Sequence, residues 1–178
     1  MTPERRKYVL FTLFAVLTIA IDQWTKVLAR ASLKPLGHVG HPVLKNTFVL
    51  RYSENPGVAF GMLQGLAGGR VILTLVALIA LGLVVSYLRK TDAQQVGLAI
   101  ALGMIGGGAI GNLIDRITYG AVTDFLVFDL GFWPLNPWPA FNIADAALVV
   151  GVAVMAIGMM RPPRTTAAGP HGEVSHNH

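Results

Sequence analysis

The sequence predicts an all-α membrane protein of four transmembrane helices, with a small extramembrane β element between the first and second. Three observations predict it. Apolar residues make up 53% of the 178-residue chain and charged residues only 13%, about half of what a soluble domain carries. The apolar residues gather in four runs, 8–28, 71–88, 96–114 and 141–160, each near the ~20 residues that cross hydrocarbon as a helix. Between the first two runs, Thr47, Val49 and Arg51 alternate with Phe48, Leu50 and Tyr52 inside the stretch 43–52. That is the period and composition of a short strand or hairpin.

Each element follows from its residues. The first run is preceded by Arg5, Arg6 and Lys7 and followed by the small-x-small triplet Ala29-Arg30-Ala31, the outline of a cleaved leader. Against that, Asp22-Gln23-Trp24-Thr25-Lys26 is too long and polar for a cleavage region, and Trp24 suits a helix end at the interface, so the run reads as a span. Glu54-Asn55-Pro56-Gly57 reads as a tight turn closing the β element. The short polar 89–95 joins the second and third spans. The longer 115–140 carries Trp133, Pro134, Pro137, Trp138 and Pro139, with tryptophans suited to headgroup depth. The chain reads as one four-helix domain over 1–163, with a disordered Gly/Pro-containing tail over 164–178 holding His171, His176 and His178. Four spans put both termini on one side. Cations divide almost evenly between the two sides, and the positive-inside rule leans only slightly to cytoplasmic termini.

Composition also excludes chemistry. With no cysteine, disulfides, thiol nucleophiles and thiolate metal sites are absent. The net charge of +5 comes from cations in the connections, a pattern for anionic lipid headgroups and not for nucleic acid. His38 and His41 lie among Gly37, Gly40 and Pro42 and lack further ligands, so neither a metal nor another cofactor is expected. Gly106, Gly108 and Gly111 spell a dinucleotide fingerprint, but inside an apolar helix with no preceding strand. Gly103, Gly107 and Gly111 instead form a stripe that lets a neighbouring helix approach.

Only nine residues are acidic. Glu4, Asp92 and Glu173 read as solvated, and Asp129 has no polar sequence neighbour. Asp22, Asp115, Asp124 and Asp145 fall at or inside predicted helix ends, where a carboxylate is costly unless paired or functional. Asp145, three residues after Asn142, reads equally as a helix-capping partner and as a carboxylate placed to meet a substrate. Asp124 reads either as an interfacial loop residue or as the partner of Asp145, because the two bracket an excursion that can fold back. Two close carboxylates cannot both ionise cheaply, so such a pair can hold one proton and serve as acid and base on one water. Asn112, Asp115 and Arg116 share a helix face, as an anchor at the water boundary or as a positive charge turned toward the carboxylates. Asp22 and Lys26 are either an interfacial pair or part of the same site. None of the serines Ser32, Ser53, Ser86 and Ser175 sits with a basic partner inside a helix, so a serine mechanism has no footing. A small proton-coupled transporter with a carboxylate relay is the alternative class.

Taken together, the motifs resemble the lipoprotein signal peptidase family, also called signal peptidase II. The matching residues are Asp22-Gln23-x-Thr25-Lys26, Asn55-x-Gly57-x-Ala59-Phe60, Gly107-Gly108-x-x-Gly111-Asn112-x-x-Asp115-Arg116, Val122-x-Asp124-Phe125 and Phe141-Asn142-x-Ala144-Asp145. The resemblance covers 22–145. It implies a cofactor-free aspartic endopeptidase of the bacterial cytoplasmic membrane, removing signal peptides from diacylglyceryl-modified prolipoproteins on the N-terminal side of the lipidated cysteine. It further implies that Asp124 and Asp145 are the catalytic dyad near the outer surface and that the termini are cytoplasmic. Asn112, Arg116 and Asn142 are implied as dyad supports, with Asn55, Asp22 and Lys26 shaping the site. The expected partners are the prolipoprotein substrate and membrane lipids, with the enzyme a monomer.

Overall fold

A computed structural model describes residues 1–45, 47–57, 69–129, 131 and 138–160. Its elements are α1 (Pro3–Ser32), β1 (His41–Leu44), β2 (Phe48–Asn55), α2 (Gly69–Lys90), α3 (Val96–Thr118), β3 (Val122–Phe128) and α4 (Ile143–Met159). The four helices fall on the four apolar runs. α1, α2 and α3 are long and apolar enough to cross a membrane, and α4 is a shorter apolar helix. Trp24 does not end α1, which continues eight residues further to Ser32. The tail 164–178, Trp133, Ala59 and Phe60 lie outside the described residues.

Local chemistry sets the helix ends. Thr2 caps α1 by accepting from the Arg5 N–H at 3.3 Å, with Pro3 in the first turn where its missing N–H costs nothing. Asp92 accepts from the Gln94 N–H at 2.8 Å in the α2–α3 turn and stays exposed, as its polar surroundings suggest. At that same end Lys7, fully buried, donates to the Thr91 carbonyl at 2.9 Å and pairs with Glu4 at 2.9 Å. It ties the start of α1 to the end of α2.

Glycine brings α3 into the centre. A Cβ on Gly103 would lie 2.5 Å from the Phe11 carbonyl oxygen, and one on Gly107 2.6 Å from that of Ala15, both on α1. A Cβ on Gly108 would meet the Ala144 carbonyl oxygen of α4 at 2.5 Å. Small residues therefore let α1 and α4 close on α3 backbone to backbone, the packing mode that replaces the hydrophobic effect in lipid. Val84 and Leu88 of α2 complete an apolar cluster with Ala99, Leu102 and Ile105.

The β element is larger than the sequence suggests. The 43–52 stretch falls in the expected hairpin, but β2 continues to Asn55, so Glu54 and Asn55, expected in the turn, both belong to the strand. Gly57 takes φ +102° there, a conformation open to glycine without strain. A third strand, β3, comes from the connection between α3 and α4 and pairs antiparallel with β2 in the order β1-β2-β3. The element is therefore not confined to the α1–α2 connection. β3 was missed because Val122 to Phe128 is mostly apolar and buried on both faces, and lacks the period-2 alternation that marks a half-buried strand. Phe48, Phe128 and Phe141 stack across it at 4.6 and 5.9 Å between ring centroids. Asp129 closes β3 by accepting from the Gly131 N–H at 3.0 Å, a turn role its sequence neighbours did not reveal.

Candidate active site

β3 and α4 converge where Asn142 precedes the last helix. Asn142 is the N-cap of α4: its Oδ1 accepts from the Asp145 N–H at 2.9 Å, and the Asp145 carboxylate accepts from the Asn142 N–H at 3.3 Å. The capping box foreseen for these residues is present. It does not compete with function, because the amide left over, Asn142 Nδ2, donates to Asp124 Oδ1 at 2.7 Å. One buried asparagine thus touches both aspartates.

Two further amides complete the arrangement. Asn112 Nδ2 donates to Asp145 Oδ1 at 2.7 Å, and Asn55 Nδ2 donates to Asp124 Oδ2 at 3.1 Å. In all three asparagines the orientation is dictated from behind. Lys26 Nζ, a donor with no acceptor capacity, donates to Asn112 Oδ1 at 2.8 Å, the Gly57 N–H to Asn55 Oδ1 at 3.0 Å, and the Asp145 N–H to Asn142 Oδ1. Each amide must then turn its NH2 group toward a carboxylate.

Behind the amides lies a buried charge network. Asp22 and Lys26, fully buried, pair at 2.8 Å on α1, and Asp22 also accepts from the Ala144 N–H at 3.0 Å, holding the start of α4. Asp115, also fully buried, pairs with Lys26 at 3.6 Å and Arg30 at 2.7 Å and accepts from the Thr123 N–H at 2.8 Å. Gln23 bridges Asp22 and the Gly111 carbonyl at 3.1 and 3.0 Å. Neither Asp22–Lys26 nor Asp115 is therefore a boundary anchor.

The structure brings together Asp124, Asp145, Asn55, Asn112, Asn142, Asp22 and Lys26. Arg116 is half-buried and donates to the Asn112 carbonyl at 3.3 Å. Among the described residues no hydrogen bond joins it to the Asp124 or Asp145 carboxylate. Sequence reasoning passed over Arg30 and Thr123. Arg30 carried one usable signal, since Asp22, Lys26 and Arg30 recur every four residues along one face of α1.

Asp124 is 2% exposed. Burial, and then the neighbouring Asp145 charge, push its carboxyl up to about 6, against the opposing effect of the Asn55 and Asn142 hydrogen bonds. A carboxyl held at about 6 beside a second carboxylate keeps its proton in mildly acidic solution, where an ordinary aspartate has lost it. No group of three or more His, Cys, Asp or Glu among the described residues could hold a metal.

Residues 14–161 match a family model described as signal peptidase (SPase) II. A lipoprotein signal peptidase of Geobacter metallireducens is 38% identical over 157 residues, covering 88% of this chain and 94% of its own. One from Chlorobium luteolum is 40% identical over 154 residues, covering 83% and 89%. A solved bacterial membrane enzyme, determined by the in meso method at 1.9 Å resolution, is similar with a TM-score of 0.73 at 29% identity, over 85% of this chain and 92% of that one.

Proposed function

The chain belongs to the signal peptidase II family, and from that premise we propose that it removes the signal peptide from diacylglyceryl-modified bacterial prolipoproteins through an Asp124–Asp145 dyad. It is a multi-pass membrane peptidase. The observation that carries the dyad is the set of three orientation-locked amides, each aimed at one of two carboxylates that meet through Asn142.

In the proposed reaction the ionised carboxylate of the pair takes a proton from a water, and the water oxygen attacks the carbonyl on the N-terminal side of the lipidated cysteine. The protonated carboxyl gives its proton to the carbonyl oxygen or the departing nitrogen. No acyl-enzyme forms. Arg116 brings a fixed positive charge to the carbonyl oxygen as negative charge develops there. The diacylglyceryl chains pack on apolar helix faces, and that remote binding holds the scissile bond in place. The three-stranded sheet is the platform for the peptide.

Four spans agree with this reading. α4 has 17 residues, at the short end of what crosses a bilayer, and its first turn carries Asp145. A fourth span puts both termini on one side, and the family membership supports reading that side as the cytoplasm, with the dyad near the outer surface of the cytoplasmic membrane. The proposed enzyme acts as a monomer. Residues 1–163 act as one peptidase domain.

The test is cleavage of a lipid-modified prolipoprotein by the purified protein in detergent. Asp124→Asn and Asp145→Asn should each abolish cleavage while remaining folded. Retained cleavage in either variant refutes the dyad, and equal cleavage of an unlipidated precursor refutes recognition of the diacylglyceryl group.

A further inference from the structure

Asp124 sits on β3, and its neighbour Thr123 adds polar ties between that strand and the helical bundle. Thr123 is 2% exposed, and each of its polar groups is engaged. Its N–H donates to Asp115 Oδ2 at 2.8 Å, its Oγ1 accepts from Arg30 Nε at 3.0 Å, and its carbonyl accepts from Asn142 Nδ2 at 3.3 Å. Arg30 Nη2 meanwhile donates to Asp115 Oδ1 at 2.7 Å. One guanidinium on α1 therefore holds the start of β3 twice, directly through the threonine hydroxyl and indirectly through the carboxylate that grips the threonine N–H.

The guanidinium is itself fixed. Its carbon lies 3.9 Å from the centroid of the Tyr119 ring, and the side chain is 16% exposed. A planar fork that donates in two directions while stacking on an aromatic face is something lysine cannot reproduce.

We propose that Arg30 is a positioning residue for the reaction: acting through Asp115 and Thr123, it sets the placement of Asp124 relative to Asn142 and Asn55. The proposal rests on the dyad reading above. A displacement of the order of 1 Å at a reacting group can lower the rate about a hundredfold, so loss of the clamp is expected to act on kcat and leave KM nearly unchanged.

The experiment uses the full chain in detergent with a lipid-modified prolipoprotein. Arg30→Lys, which keeps the charge and loses the fork, should lower kcat tenfold or more with KM changed less than about threefold. Thr123→Val keeps the shape and loses only the hydroxyl, and should lower kcat by about three- to tenfold. The double variant should lose less than the product of the two, because both changes open the same clamp. In Arg30→Lys the alkaline limb of the pH–rate profile should also move upward, since Asp124 loses part of the amide donation that favours its ionised form. Lys7→Met serves as control: it breaks a buried tie on the same helix, at the end distant from Asp124, and should lower thermal stability without moving the pH limb.

Wild-type kcat and pH profile in both Arg30→Lys and Thr123→Val overturn the proposal. So does loss of activity that follows thermal stability along the same line as Lys7→Met. Asp124→Asn measured in parallel separates the two failures. If it is inactive while the Arg30 and Thr123 variants behave as wild type, the clamp alone is wrong; if it is active, the dyad reading falls and the clamp with it.

Discussion

Replacing Asp124 by asparagine should make the protein more stable, relative to wild type, as pH rises. In the folded chain the Asp124 carboxyl is pushed from 3.8 to about 6, so the folded state holds this proton more tightly than the unfolded chain does. Wild-type stability from this group is then greatest below pH 4, declines between pH 4 and 6, and is level above. At ~1.36 kcal/mol per pH unit, the decline is about 3 kcal/mol. Asparagine does not titrate and lacks the decline. It carries a separate penalty, because its NH2 group must face the amide of either Asn55 or Asn142, each of which donates to Asp124, and one hydrogen bond is lost at a cost of about 1–3 kcal/mol. That penalty does not depend on pH and drops out of the slope. Reversible unfolding of both proteins in the same micelles, from pH 4 to 7.5, isolates the titration: the stability of Asp124→Asn minus that of wild type should rise by about 3 kcal/mol across the window. A difference that stays flat would show that burial and the Asp145 charge do not act on Asp124 as the structure requires.

Further consequences are as direct. Gly107→Ala puts a Cβ 2.6 Å from the Ala15 carbonyl oxygen and 2.8 Å from Thr18 Cβ, and overpacking against backbone should cost about 1–3 kcal/mol, seen as a lowered Tm in detergent. Lys26→Met strands the buried Asp22 carboxylate and frees Asn112 to rotate. It should cost about 3–5 kcal/mol, and adding Asp22→Asn should recover part of that stability but none of the cleavage activity. Cleavage should be insensitive to a metal chelator, since both proposed catalytic carboxylates are engaged by amide donors, and inhibition reversed by added divalent ion would contradict the mechanism.

Much of this was legible in the sequence because lipid makes polar residues conspicuous. The helices lie where hydrocarbon-length apolar runs lie, and the glycine stripe of α3 meets α1 as its spacing implies. Asp124 and Asp145 stood out because carboxylates are scarce in this chain and expensive at a helix end. What could not be read was mutual placement. Nothing in the sequence distance from Asn55 to Asp124 says that β2 and β3 pair with Ser53 opposite Asp124, which sets the Asn55 amide on the carboxylate. Likewise Arg30 looked like one of several flanking cations, because its partner Asp115 lies 85 residues away on another helix.

The buried charges themselves set a limit on what the site is built for. Asp22, Lys26 and Asp115 are fully buried and Arg30 nearly so, yet buried ion pairs seldom add stability over well-packed apolar residues of the same volume. Stability is therefore a poor account of their presence. Their bonds lead elsewhere: Lys26 to the Asn112 amide, Asp22 to the first turn of α4, Asp115 and Arg30 to Thr123 beside Asp124. Each charge ends on a group that touches a dyad residue or adjoins one. The two aspartates reach the site on a strand and a helix joined directly by the Leu126–Phe141 backbone pairing and the Asn142 amide. Proton transfer adds the demand that both carboxylates be placed against a common reference to within a fraction of an ångström. A rigid charged layer on α1 and α3, behind both, supplies that common reference.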